Sequence, residues 1–212
     1  MKRSSKLIAL LAALPISGVM AERNMEEVIV TATKRAESIQ DVPIAISAFN
    51  GEDLEARGVQ DLYGLQEVSP SISVYSANSE SNGGTIRIRG VGTTGNNPGL
   101  EAAVGTFIDG VYRSRAGLAF SDLTDIERIE ILRGPQGTLF GKNTSAGALH
   151  IITKKPEFER ASTFSISAGD YGSFRVNGST TGALIDDVLA FRVAGSYNER
   201  DGFYEDDFTS DA

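Results

Sequence analysis

Three regimes of hydrophobic and polar spacing run along the chain. In residues 1–21 (MKRSSKLIALLAALPISGVMA) the basic Lys2, Arg3 and Lys6 precede an apolar run over 7–14, which Pro15 and Gly18 break. Val19, Met20 and Ala21 then place compact side chains where a signal peptidase cuts. This is the pattern of a secretory signal peptide. The apolar run is well short of the roughly 20 residues that cross a bilayer as a helix, which disfavours a retained anchor. Residues 22–35 follow with one β-prone run, Val28, Ile29, Val30 and Thr31, flanked by charge.

Residues 36–155 carry short apolar runs separated by Gly, Asn and Ser. The pattern predicts strands over 44–49, 71–75, 85–89, 104–108, 129–133 and 149–153. Asn50-Gly51-Glu52-Asp53 starts a short helix that Gly58 ends, and Leu62, Leu65 and Val68 recur at helical spacing before the stop Ser69-Pro70. The expected fold class is a small α+β unit, a mixed sheet with short helices.

After Pro156 the period becomes two. Phe164, Ile166 and Ala168 alternate with Ser165, Ser167 and Gly169. A turn at 170–173 leads to Phe174, Val176 and Gly178 alternating with Arg175, Asn177 and Ser179. A second turn at 185–187 leads to Leu189, Phe191, Val193 and Tyr197, interleaved with Ala190, Arg192, Ala194 and Ser196. Runs of this length, apolar on one face and polar on the other, suit antiparallel strands of a lipid-embedded barrel. A soluble meander with one face on a core has the same alternation. The export signal favours the outer membrane.

Composition narrows the chemistry. The 212 residues hold 20 basic and 28 acidic side chains, for a net charge of −8, and losing residues 1–21 would take three positive charges and bring it to −11. That balance argues against nucleic acid as a partner. There is no Cys and one His, so thiolate and His-pair metal sites are excluded and no cofactor is expected. Two motif matches fail on context. Gly90-Val91-Gly92-Thr93-Thr94-Gly95 fits a dinucleotide fingerprint, but Asn96-Asn97-Pro98-Gly99 cannot begin the helix that site requires. Residues 134–143 (GPQGTLFGKN) have the wrong spacing for a phosphate loop. His150, inside the apolar run 148–152, reads as a structural residue, and no catalytic group is assigned. An exported enzyme is a rival reading supported only by these failed motifs.

Glu26-Glu27-Val28-Ile29-Val30-Thr31-Ala32-Thr33 resembles a TonB box, placed just after the signal peptide. Thr85-Ile86-Arg87-Ile88-Arg89-Gly90 resembles an I-R-x-R-G strand, and 104–112 (VGTFIDGVY) the block after it. Residues 126–156 (IERIEILRGPQGTLFGKNTSAGALHIITKKP) are similar to a plug signature from end to end. Together these segments resemble the TonB-dependent outer-membrane receptor family, siderophore-receptor type. One departure is His150, where the family usually has Asn or a similar polar residue.

The resemblance implies signal peptide 1–21, TonB box and flexible segment 22–35, plug domain 36–155 and the first strands of an incomplete β-barrel at 156–212. It implies a receptor in the outer membrane of a Gram-negative cell, taking up a scarce nutrient, with a ferric siderophore the expected ligand. TonB, energised from the inner membrane, and outer-membrane lipid are the implied partners. Glu27, Val28, Ile29, Val30, Thr31 and Ala32 would be gripped as an added strand, which calls for an extended and unburied segment. Arg87, Arg89, Arg128, Glu130 and Arg133 are candidates for a charged plug–barrel interface, with ion pairing inside the plug as the alternative. Asn78, Asn82, Thr93, Asn96 and Asn97 are candidates for ligand-facing loops. A 22-stranded barrel needs over about 200 residues. Only 57 follow Lys155, so the expectation is a fragment or a truncated product. The alternative function is a plug fragment in the periplasm that binds TonB or ligand without transport.

Overall fold

The structure is a computed structural model that describes residues 28–31, 33–75, 84–93, 100–114 and 123–202. The signal-peptide segment lies outside the described residues. A five-stranded mixed sheet organises the first part. It comprises β3 (Ile46–Asn50), β6 (Val104–Ile108), β7 (Val111–Arg113), β8 (Ile126–Arg133) and β9 (Gly147–Thr153), in the order β3-β8-β9-β6-β7. Only β6 and β9 run parallel; the other pairs are antiparallel. Two small ribbons accompany it: β1 (Ile29–Val30) with β2 (Glu37–Ser38), and β4 (Ile72–Tyr75) with β5 (Thr85–Ile88).

One face of the central strands β8 and β9 is apolar, while the other mixes Leu132 and Ala148 with the polar Arg128, Glu130 and His150. Ile129, Ile131, Leu149 and Ile151 face one cluster, completed by Leu54, Leu62, Leu65, Ile72, Val74, Ile86 and Ile88 from the helices and the β4–β5 ribbon. Leu132, Ala148 and Phe107 face a second, smaller cluster, closed by Val30 and Val42 from the N-terminal segment. Each fully buried Ile or Leu contributes about 1.5–3 kcal/mol, so the larger cluster dominates stability.

Local signals set the helices. α1 (Gly51–Ala56) is capped by Asn50, whose side chain accepts the Asp53 amide at 2.6 Å, satisfying one orphan donor of the first turn. Gly58, at φ +72°, ends it as a left-handed residue suited to glycine. α2 (Leu65–Val68) stops at Ser69. Three features were not anticipated from the spacing: the ribbon strand β2, the strand β7, and the single turn α3 (Gly137–Phe140). Each is short, and β2 is defined by its pairing with β1, seven to nine residues earlier, rather than by an apolar pattern of its own. β3 begins at Ile46 rather than 44, although the Ala45 carbonyl still accepts from the Arg133 amide at 2.9 Å.

β10 (Ala161–Ala168), β11 (Phe174–Ile185) and β12 (Leu189–Glu199) form an open antiparallel sheet. Ile166, Val176 and Tyr197 stand in one cross-strand row. This face is bare: Phe164 is 72% exposed and Val193 62%. The opposite face carries Thr163, Ser165, Ser167, Arg175, Asn177, Ser179 and Arg192, and it turns toward the first part of the molecule. The period-two reading of 164–197 therefore holds, with the polar side inward.

Candidate functional site

The N-terminal segment is docked on the smaller cluster. Ile29 pairs with Ser38 and Val30 with Glu37, and the Ile39 amide donates to the Val28 carbonyl at 2.9 Å. The alternation of a strand then splits the segment: Ile29 is 52% exposed, whereas Val30 is fully buried. The expectation of an unburied segment is thus corrected at Val30. Its isopropyl group fills a space among Val42, Phe107, Leu132 and Ala148, and leaving it in water would forfeit about 1.5–3 kcal/mol. Glu27 and Ala32 lie outside the described residues.

Beyond Val30 the segment is held by a charged group. The Thr31 amide donates to Glu130 Oε1 at 2.8 Å, and the Thr31 hydroxyl donates to the same oxygen at 3.2 Å. Arg128 Nε donates to it at 2.8 Å, while Arg128 Nη1 pairs with Glu127 and Nη2 donates to Thr31 Oγ1 at 3.3 Å. Glu130 itself is sealed from solvent. A buried carboxylate survives only with such charge-assisted partners. Glu130 therefore does not face a barrel wall, and its placement at a plug–barrel interface is corrected: the face of β8 that carries it is covered by the N-terminal segment. Of the two expectations for Arg128, ion pairing inside the plug is what the geometry displays.

His150 lies directly opposite Glu130 across β8 and β9. Its ring is packed against Phe107 at 4.9 Å and edge-on to Phe140 at 4.6 Å between centroids. Lys34 stands over the Phe140 ring at 5.5 Å. Burial pushes the imidazole down to about 4, opposed by Glu130 and assisted by Lys34, so it is neutral near pH 7. His150 Nε2 and Glu130 Oε2 are buried without a hydrogen-bond partner among the described residues.

A second site joins the two parts of the chain. Asp125 Oδ2 and Oδ1 accept from Arg192 Nε and Nη2, both at 2.5 Å, a bidentate pair with each side chain only 11% exposed. Sequence reasoning missed both residues. The available signal was Arg192 standing on the polar face of its strand, where a lone cation needs a counter-ion. Beside Asp125 a cavity of about 410 Å³ separates Leu54 and Lys154 from Thr163, Ser165, Asn177 and Ser179. The seam between the parts is lined with polar groups.

The remaining candidates lie elsewhere. Arg133 donates to the carbonyls of Ala45 and Ile46 at 3.4 and 3.2 Å, fastening the entry to β3. The Arg87 guanidinium sits 4.9 Å over the Tyr75 ring, a cation–π contact. Arg89 is exposed at the end of β5, at φ +53°. Thr93 Oγ1 donates to the Glu101 carbonyl at 2.8 Å. Asn78, Asn82, Asn96 and Asn97 lie outside the described residues. Among the described residues no group of His, Asp and Glu is arranged to hold a metal ion.

Similarity to known proteins follows this geometry. Residues 38–148 match the family described as TonB-dependent Receptor Plug Domain. The chain is 27% identical over 210 residues to the vitamin B12 transporter BtuB of Vibrio vulnificus, covering 96% of this chain and 33% of that protein. It is 31% identical over 201 residues to the iron-regulated outer membrane virulence protein of Vibrio cholerae, covering 85% of this chain and 29% of that one. Its fold superposes on the ferric yersiniabactin uptake receptor FyuA from Yersinia pestis with a TM-score of 0.67 at 26% identity, covering 72% of this chain and 24% of FyuA. The pyoverdine receptor FpvA of Pseudomonas aeruginosa superposes with a TM-score of 0.69 at 18% identity, over 82% of this chain and 25% of FpvA, a likeness of fold. The chain spans a third or less of the length of these proteins.

Proposed function

This chain belongs to the TonB-dependent receptor family, with its plug domain at residues 38–148, and from that membership we propose that it is the N-terminal part of an outer-membrane receptor for energy-coupled nutrient uptake. A ferric siderophore is the expected ligand class, in keeping with the iron-linked names of several relatives. In this reading residues 36–155 stop the pore and the strands from 156 onward begin its wall. The bare apolar face of β10, β11 and β12 meets lipid, and their polar face meets the plug. The loops bearing Asn78, Asn82, Thr93, Asn96 and Asn97 face the ligand.

Residues 27–32 are the segment that TonB grips. The observation that carries this is the docking of the segment through one short ribbon, one buried side chain, Val30, and the Glu130–Arg128 pair, with Ile29 pointing outward. An extended strand held so lightly can leave the plug and pair with a partner's sheet edge, where backbone hydrogen bonds give mechanical grip.

The test is Ile29→Pro in the full-length protein. Ile29 contributes little to the core, and because Val28 and Ile39 form the neighbouring hydrogen-bonded pair its N–H points away from β2, so the main loss is a donor for a partner's sheet edge together with strand geometry. Ligand binding stays intact, while uptake and disulfide capture of TonB by a Cys at position 28 fall to background. Undiminished uptake by this variant refutes the reading.

A further inference from the structure

We propose that Glu130 and His150 form a proton-operated latch for the N-terminal segment, in which detachment of residues 28–34 from the sheet is coupled to uptake of one proton by His150. The proposal deepens the reading above and rests on it only in treating detachment as the functional event.

Three observations carry it. First, the pair lies side by side on neighbouring strands, under the segment that would move. Opposed side chains in such positions have Cβ atoms about 4.5–5.5 Å apart. Second, the docked state leaves one buried polar atom of each group idle. Glu130 Oε1 holds Thr31 and Arg128, yet Oε2 has no partner, and His150 Nε2 has none, among the described residues. Buried polar atoms left this way cost free energy that hydration or a proton recovers once the cover lifts. Third, the cover keeps His150 neutral. Val30 seals the apolar cluster that Phe107 and Phe140 share with the imidazole, and Lys34 adds a positive charge nearby.

When residues 28–34 leave, the covering bulk and the Lys34 charge depart together. Glu130 loses its bonds to Thr31 and becomes the counter-ion beside an imidazole now open to water. A proton passes from solvent to His150 Nε2, and the resulting imidazolium–carboxylate pair opposes return of the segment. The other charged groups on the surrounding elements are, on β8, Arg128, already bound to Glu130, Glu127, paired with Arg128, and Arg133, which donates to the Ala45 and Ile46 carbonyls; Glu37 on β2, which accepts from Thr33 at 2.8 Å; and Arg113 on β7. β6, β9 apart from His150, and α3 carry none.

The docked imidazole titrates at about 4 and an open one near 6.5, so lowering the pH from 8 to 5 shifts the docking equilibrium toward release by about 30-fold. The experiment places a nitroxide spin label at an Ile29→Cys site in the full-length protein without TonB, with a second label at Val188→Cys as control. The mobile fraction at position 29 is expected to rise steadily as pH falls from 8 to 5, with no change at 188. His150→Asn, which keeps a polar side chain but cannot take a proton, is expected to flatten the curve. Glu130→Gln is expected to raise the mobile fraction at every pH. A wild-type spectrum independent of pH, or an unchanged curve in His150→Asn, overturns the latch. Because TonB is absent, neither result bears on whether TonB grips the segment, which the capture experiment decides.

Discussion

The backbone amide of Thr31 donates 2.8 Å to a carboxylate oxygen of Glu130, a residue 99 positions away with no exposure to solvent. Residues 28–31 are thus fastened to the centre of the sheet. The bond matters because β1 and β2 pair over only two residues, and a two-stranded ribbon that short is not stable by itself.

Removing the acceptor should therefore free the segment before it disturbs the plug. Glu130→Ala leaves the Thr31 amide and Arg128 Nε without their shared partner, at a cost on the order of 1–3 kcal/mol. Hydrogen exchange of Val30 and Thr31 is expected to quicken at least about tenfold, with exchange of Ile129 and Ile131 changed far less. Equal acceleration at all four positions would mean that Glu130 supports the whole sheet rather than the segment.

Asp125 and Arg192 form a contact that spans the seam, and both are mostly shielded. A double-mutant cycle with Asp125→Asn and Arg192→Gln, read from denaturant midpoints, is expected to give a coupling of about 1–3 kcal/mol. A coupling under about 0.5 kcal/mol would place this pair among surface contacts of no energetic weight.

The fold holds the His150 imidazole near 4, below its ordinary 6.5, and so favours the neutral form. For a base with a depressed folded-state value, the associated stability is complete above pH 6.5 and falls as the pH drops toward 4. The loss approaches about 3 kcal/mol at the acid end. Denaturant midpoints at pH 7.5 and 4.5 are expected to converge in His150→Asn relative to the native chain. An identical acid-induced drop in both proteins would assign the drop to other groups.

Gly147 begins β9 at φ +152°, and a Cβ there would lie 2.3 Å from the Leu132 carbonyl oxygen and 2.7 Å from Ile88 Cδ1. Backbone cannot yield as a flexible side chain can. Gly147→Ala is expected to cost on the order of 2–4 kcal/mol, measured as a lowered denaturant midpoint. A midpoint unchanged from native would show that β8 and β9 can separate freely at this point.

The elements legible in the sequence are those whose signals are local. The cap at Asn50, the stop at Gly58 and the β-branched runs of β6, β8 and β9 each announce themselves within a few residues. The alternation across β10, β11 and β12 even assigned the faces. What the sequence concealed was long-range. Arg128, two residues away on the same face, supplies the nearby counter-charge of Glu130, but the burial of Glu130 depends on a cover that includes Thr31 at the far end of the chain. Val30 looked like part of an exposed strand because its neighbours are charged, yet period-two geometry lets one residue of a charged stretch sink into a core. The resemblance found the correct family, but it carried no information on which side chains of residues 28–31 are covered.

The five-stranded sheet is also a partition. It keeps Ile129, Ile131 and Leu149 on one side, and Val42, Phe107 and Ala148 on the other. Tugging on residue 28 peels the ribbon and then wets only the smaller compartment, while the larger stays dry. The molecule can be undone on one flank and restored without renucleating the other, so repeated cycles of strain need not pass through the unfolded chain.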